Sequence, residues 1–169
     1  DVTAERPAPA VLFAGSLLPV KNVARFLEAF AFVAARRPEA SLRLAGTGPF
    51  RTELEARTLQ PDLAGRCEFL GELAPPALAK EMQRAALLCL PSVSEGWPNV
   101  VMEAMACGTP VVGARVGGIP EQITSDDYGL LCDPYSPTDI AEKILLALDK
   151  HWNREKISAW GRRYTRDDT

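Results

Sequence analysis

With one histidine in 169 residues, His151, the chain has almost nothing from which to build a histidine-centred nucleophile or an imidazole metal site. His151 precedes Trp152 near the end of a helical pattern and reads as a surface or packing residue. Cys67, Cys89, Cys107 and Cys132 are widely scattered, none in a Cys-x-x-Cys spacing, and each lies in an apolar run. They read as free, buried thiols of a reducing compartment, not as metal ligands. No five like charges are consecutive and the net charge is −3, so the basic stripe of a nucleic-acid module is missing. No eighteen apolar residues run together, which excludes a spanning helix. A Walker A loop is absent, and so is Gly-x-Gly-x-x-Gly: "GTGPFR", residues 46–51, lacks the third glycine. An ordinary dinucleotide dehydrogenase is therefore unsupported. No signal peptide, internal repeat or low-complexity segment is visible.

What is present suffices for a core. Hydrophobic residues make up 47% and charged residues 24%, in a length that fits one domain. The opening "DVTAERPAPA" has linker composition, and residues 1–9 read as a linker inside a longer polypeptide. Residues 10–150 read as the domain, and 151–169 as a C-terminal helix and tail.

Six short runs read as strands: Val11–Ala14, Ser41–Ala45, Cys67–Leu70, Leu87–Leu90, Pro110–Ala114 and Gly129–Cys132. All but one are near-continuously apolar, as strands buried on both faces are. Helical patterns separate them, at about 22–36, 50–59, 76–85, 99–107 and 137–149, with a last one near 153–164. Phe26, Leu27, Phe30 and Val33 mark one face of the first, which Pro38 closes. The fifth opens with Ser136, Pro137 and Asp139: an N-cap, a first-turn proline and an acid against the helix dipole. Strand–helix alternation with short connections predicts a Rossmann-like, doubly wound parallel sheet of about six strands with helices on both faces. Such sheets bind ligands at the carboxyl ends of their strands.

Four loops at those ends are unusual. They are "GSLLPVKN" (15–22), "GTGP" (46–49), the stretch around "SEGWPNVVMEA" (94–104) and "RVGGIPE" (115–121). Glycine permits tight turns, and it also lets backbone N–H groups approach an anion at a helix N-terminus. Together with Lys21, four such loops on one edge favour a phosphate-bearing ligand. Glu95 lies on the third loop and Glu103 about one turn into the helix that follows. Were the stretch all helix they would stand roughly 12 Å apart, too far to share a proton. Between them the N–H groups near Asn99 and Val100 can receive a diphosphate, and an ionised carboxylate on either side suits paired hydroxyls. Hydroxyls, phosphates and hydroxyls in sequence describe a nucleotide sugar.

The stretch "EGWPNVVMEAMACGTPVVGARVGGIPEQI" resembles the signature of the retaining GT-B glycosyltransferases called group 1 or family 4. Its Glu-seven-residues-Glu motif falls on Glu95 and Glu103. "VLFAGSLLPVKN", "LRLAGTGPFRTEL", "CEFLGEL" and "YGLLCDPYSPTDIAEKI" extend the likeness along almost the whole chain. The resemblance implies one half of a GT-B fold, the C-terminal domain that holds the donor, with a missing N-terminal domain presenting the acceptor. It implies a UDP-, GDP- or ADP-hexose as donor, retention of anomeric configuration and no metal or cofactor.

By the same resemblance Lys21 and Glu95 are the catalytic pair, Lys21 on the diphosphate and Glu95 on the donor sugar. Glu103 takes the ribose hydroxyls, and Gly71 and Glu72 meet the base. Gly15 and Ser16 face the phosphates, while Gly96, Trp97, Pro98, Asn99 and Val100 line phosphates and sugar. The fragment alone is expected to be inactive. The full protein is expected in the cytoplasm, with peripheral association at the inner membrane face compatible with the family. Two positions depart from the family pattern: Ser16 replaces the arginine of the first loop, and Asn22 the glycine after the lysine. Ser16 keeps an alternative open, a catalytically lapsed binding module of the same fold. A nucleotide-sugar epimerase of related fold would need ionisable groups around the sugar that the chain does not offer.

Overall fold

The computed structural model describes residues 8–167, with side chains described as far as Arg163. Of the expected linker, residues 1–7 lie outside the described residues, as do 168 and 169 of the tail. Six strands form one sheet: β1 Ala10–Ala14, β2 Ser41–Ala45, β3 Cys67–Gly71, β4 Leu87–Leu90, β5 Val111–Ala114 and β6 Gly129–Cys132. Their order is β3-β2-β1-β4-β5-β6, and every pairing is parallel. Seven helices accompany them among the described residues. They are α1 Val23–Arg36, α2 Arg51–Thr58, α3 Pro75–Arg84, α4 Asn99–Ala106, α5 Ile119–Gln122, α6 Pro137–Asp149 and α7 Arg154–Asp167. A single 3-10 turn, Pro19–Lys21, precedes α1. The doubly wound α/β architecture expected of the sequence is the one observed.

Burial explains the strand composition. Every residue of Val11–Ala14, Leu87–Leu90 and Val111–Ala114 is buried, because helices cover both faces of the central strands. The exception, "SLRLA" in β2, carries Arg43. Its guanidinium is held by Glu81 of α3 at 2.8 and 2.9 Å and by Glu68 of β3 at 2.6 Å. Right-handed crossovers put α1, α2 and α6 on one side and α3, α4 and α5 on the other. The α1–α6 and α4–α7 contacts are the main helix pairings of the two layers. Phe13, Phe26 and Phe30, all fully buried, centre the first of these layers, with the Phe13 and Phe26 rings 6.3 Å apart.

Capping follows the sequence at α6, where the Ser136 hydroxyl accepts from the Asp139 N–H at 3.0 Å behind Pro137. Two elements escaped the periodicity. The four residues of α5 and three of the 3-10 turn are each too short to show a 3.6-residue pattern. The last helix begins at residue 154 and is bonded into the domain. Ile157 is buried, Ser158 donates to the Ala106 carbonyl at 2.7 Å, and Trp160 stacks on Tyr128 at 4.8 Å. His151 is exposed in the loop before it.

Candidate functional site

The strand order reverses between β1 and β4, so the loops leaving these neighbours diverge and open a crevice at the carboxyl edge. The β1 loop is pinned to its neighbours on either side. Leu17 is buried and its N–H donates to the Thr47 carbonyl at 2.9 Å, while the Val93 N–H donates to the Val20 carbonyl at 3.0 Å. The 3-10 turn then raises Lys21 over the crevice. Its Nζ donates to Oε2 of Glu95 at 2.6 Å, joining the β1 and β4 loops by an ion pair. The Ser92 hydroxyl donates to the same oxygen at 2.7 Å. The Glu95 side chain is only 9% exposed and that of Lys21 21%.

Asn22 accounts for its own departure from glycine. At φ 65° and ψ 30° it occupies the left-handed region, which asparagine tolerates better than other side chains. Glycine would meet the same backbone demand without a side chain. Asparagine adds a clamp: Nδ2 donates to the carbonyls of Pro91 at 2.9 Å and Pro134 at 2.7 Å, and Oδ1 accepts from Arg25 at 2.9 Å. One buried amide thus ties together the loops after β1, β4 and β6.

The glycines of two loops have a packing reason. A Cβ on Gly46 (φ 135°) would stand 1.8 Å from the Gly15 carbonyl oxygen, and one on Gly117 (φ 54°) 1.8 Å from that of Glu95. These loops nest backbone against backbone, and the Gly118 N–H donates to the Gly96 carbonyl at 2.6 Å. By contrast a Cβ on Gly96 would meet nothing within 4 Å. Of the glycines read as anion-facing, Gly96 therefore faces open space, whereas Gly46 and Gly117 serve the contact between loops.

Gly15, Ser16 and Glu72 line a cavity of about 250 Å³, together with Gly46, Thr47, Leu73 and Leu78. Gly71, at φ 71°, precedes Glu72, and its carbonyl accepts from the Gly46 N–H at 2.7 Å. Helix α4 starts at Asn99 with no side-chain cap, so its first-turn N–H groups, those of Asn99 and Val100 among them, have no partner in the helix. Trp97 is 41% exposed, with its ring against Gly118. Pro98, read with its neighbours as lining phosphates and sugar, is the buried N-cap of α4, and as proline it offers no N–H. Its carbonyl accepts from the buried Gln122 Nε2 at 2.9 Å, so Pro98 braces the loop, and the amides of the stretch are those of its neighbours. Glu103 is exposed, one turn into α4.

Three residues of the site were missed in the sequence. Ser92, Thr47 and Gln122 are single polar residues in loops or in the four-residue α5, where no spacing marks them. For Ser92 and Thr47 the available signal was a position just after a strand or between glycines; Gln122 had none. Among the described residues no three His, Cys, Asp or Glu side chains converge as metal ligands, and no helix is long and apolar enough to cross a membrane.

The sequence profile of the family described as Glycosyl transferases group 1 matches residues 3–164. A D-inositol 3-phosphate glycosyltransferase of Corynebacterium efficiens is 35% identical over 156 residues, 89% of this chain but 37% of the relative's length. The C-terminal domain of a group 1 glycosyl transferase family protein (LpcC) of Francisella tularensis superposes with a TM-score of 0.79 at 26% identity. That match covers 90% of this chain and 82% of the other. Anabaena Alr3699/HepE, solved with UDP and also with UDP-glucose, is likewise 26% identical, and the UDP complex gives a TM-score of 0.79 over 94% of this chain and 44% of HepE. By sequence and fold together, the chain belongs to the group 1 glycosyl transferases and forms the Rossmann-like domain found in the C-terminal half of these GT-B proteins.

Proposed function

We propose that this chain binds a nucleoside-diphosphate sugar and that the full-length protein transfers its hexose to an acceptor with retention of configuration. The observation that carries the reading is the Lys21–Glu95 pair, set at the β1/β4 switch point beside the uncapped start of α4. A cation and a helix N-terminus suit a diphosphate, and they stabilise the charge that grows on a departing nucleoside diphosphate. Glu95, nearly buried, accepts from the donor sugar's hydroxyls; Glu103, in the open, accepts from the ribose. Gly71 and Glu72, at the end of β3, meet the base, and Ser16 faces the phosphates. Positive potential supplied in this way needs no divalent cation. The HepE complexes with UDP and UDP-glucose support a uridine donor. The acceptor is presented by a further domain, since the chain spans about two fifths of the HepE chain. Four free cysteines suit a cytoplasmic setting.

Calorimetric titration with UDP, GDP and ADP and with their glucose conjugates, in EDTA, tests this. Glu103→Ala should weaken a diphosphate and its sugar alike, by about 10- to 150-fold for the loss of a charge-assisted acceptor. Glu95→Ala should harm the nucleotide sugar far more than the bare diphosphate. Equal losses from Glu95→Ala, or a need for magnesium, would count against these roles. A second reading, a lapsed binding module, draws on Ser16 alone. Turnover of a labelled nucleotide sugar by the full-length protein, absent in the fragment, excludes it.

A further inference from the structure

Glu95 receives two donors on one oxygen. Lys21 Nζ and Ser92 Oγ both bond to Oε2, at 2.6 and 2.7 Å, and among the described residues Oε1 takes no hydrogen bond. The two donors differ in mobility. Lys21 stands on a 3-10 turn at the end of a long flexible stem, with its side chain 21% exposed. Ser92 is two residues beyond β4, 0% exposed, and so fixed by the sheet itself.

We propose that Ser92 is a positioning residue that keeps the Glu95 carboxylate in place when Lys21 is drawn from it to the phosphates of a nucleotide sugar. The inference rests on the sugar-facing role proposed for Glu95. An ammonium group is a compact charge with three donors, and a diphosphate beside it outweighs one carboxylate. As Lys21 turns to the phosphates, Glu95 loses the one charged partner it has among the described residues, at the moment it must hold a sugar hydroxyl. A glutamate released in this way would spread over its rotamers, and each hydroxyl contact would have to order it again. Ser92 prevents this. Its buried hydroxyl has no solvent to turn to and keeps its bond to Oε2, so that the carboxylate holds its place and Oε1 is left for a sugar hydroxyl. The resting ion pair and the buried tether thus have separate tasks. The first neutralises the empty site, and the second preserves its geometry through the exchange.

Titration of the chain with UDP and UDP-glucose, with the GDP and ADP pairs run alongside, decides the matter. Ser92→Ala should leave affinity for the bare diphosphate within about twofold, while affinity for the nucleotide sugar falls about five- to tenfold, the usual effect of one hydrogen bond. Ser92→Thr, which keeps the hydroxyl, should restore most of the loss. In a Glu95→Ala background Ser92→Ala should change nothing further, since the tether has nothing to hold. Should Ser92→Ala fold poorly, Ser92→Cys, similar in size and a weaker donor, should reproduce the ligand-selective pattern in smaller measure. Equal losses for both ligands, no loss, or additivity with Glu95→Ala would overturn the role of Ser92 while leaving the donor site standing. A wild-type chain that binds none of the diphosphates, or whose preference for the sugar form survives Glu95→Ala, would instead remove the functional reading and this inference with it.

Discussion

Asn22 shows how a single residue meets two demands. Its backbone must be left-handed, and its amide must satisfy the carbonyls of Pro91 and Pro134 in a place with 8% exposure. Asn22→Gly keeps the backbone and loses the bonds, which should cost about 1–3 kcal/mol. Asn22→Ala loses both and should cost about 1–2 kcal/mol more, because a Cβ strains the left-handed conformation. Urea denaturation of the three proteins checks the order, and an Asn22→Ala no worse than Asn22→Gly would remove the backbone argument. Ser16 gives a second prediction. It is half-buried and lines the 250 Å³ cavity, so there is room for a longer side chain. Ser16→Arg should tighten diphosphate binding by about 1–2 kcal/mol, less than a full bidentate pair because arginine must be ordered and Glu72 shares the cavity. Titrations at two salt concentrations should show the gain shrinking as salt rises.

Among elements, the contact between the β4 and β5 loops sets the crevice. Gly117 and Gly65 both have positive φ, but a Cβ on Gly117 meets the Glu95 carbonyl, while one on Gly65 meets nothing within 4 Å. Gly65→Ala should therefore cost only backbone strain, about 1 kcal/mol, and leave ligand affinity unchanged. Gly117→Ala must also move the loop that carries Glu95, and it should lower nucleotide-sugar affinity at least tenfold. Thermal melts and titrations of the two variants separate strain from displacement. The contrast was not readable in the chain. "RVGG" announces a turn with glycine, but which backbone it nests against depends on β4 and β5 being neighbours. The strands themselves were readable, each within a residue of its observed bounds, since a continuous apolar run of four or five admits few other interpretations.

At the scale of the whole molecule, the covered sheet governs the thiols. Burial drives the Cys89 thiol well above its ordinary range and pushes that of Cys132 up to about 12. Each is raised over its unfolded value near 8.5, so the stability it contributes is complete below that pH and is lost as pH rises towards the folded value. Between those limits the pair should cost about 1.4 kcal/mol per thiol for every pH unit. Urea melts at pH 8 and 10, repeated with Cys89→Ala and Cys132→Ala, check the slope. A thiol reagent at pH 8 should reach the partly exposed Cys67 and Cys107 first, and Cys89 and Cys132 only on unfolding. By itself the sequence determined the alternation of elements, the sheet they had to form, and the strand-end loops and following helix that carry Lys21, Glu95 and Glu103. These follow from local patterns: burial on two faces, helical period, and charge among apolar neighbours. Only the tertiary structure decided that Lys21 meets Glu95, that Ser92 holds the same oxygen, that Asn22 ties three loops, and that Gly46 and Gly117 face backbone. Each of those contacts joins segments brought to one edge by strand order, and strand order is a property of the folded sheet that no short stretch of sequence encodes.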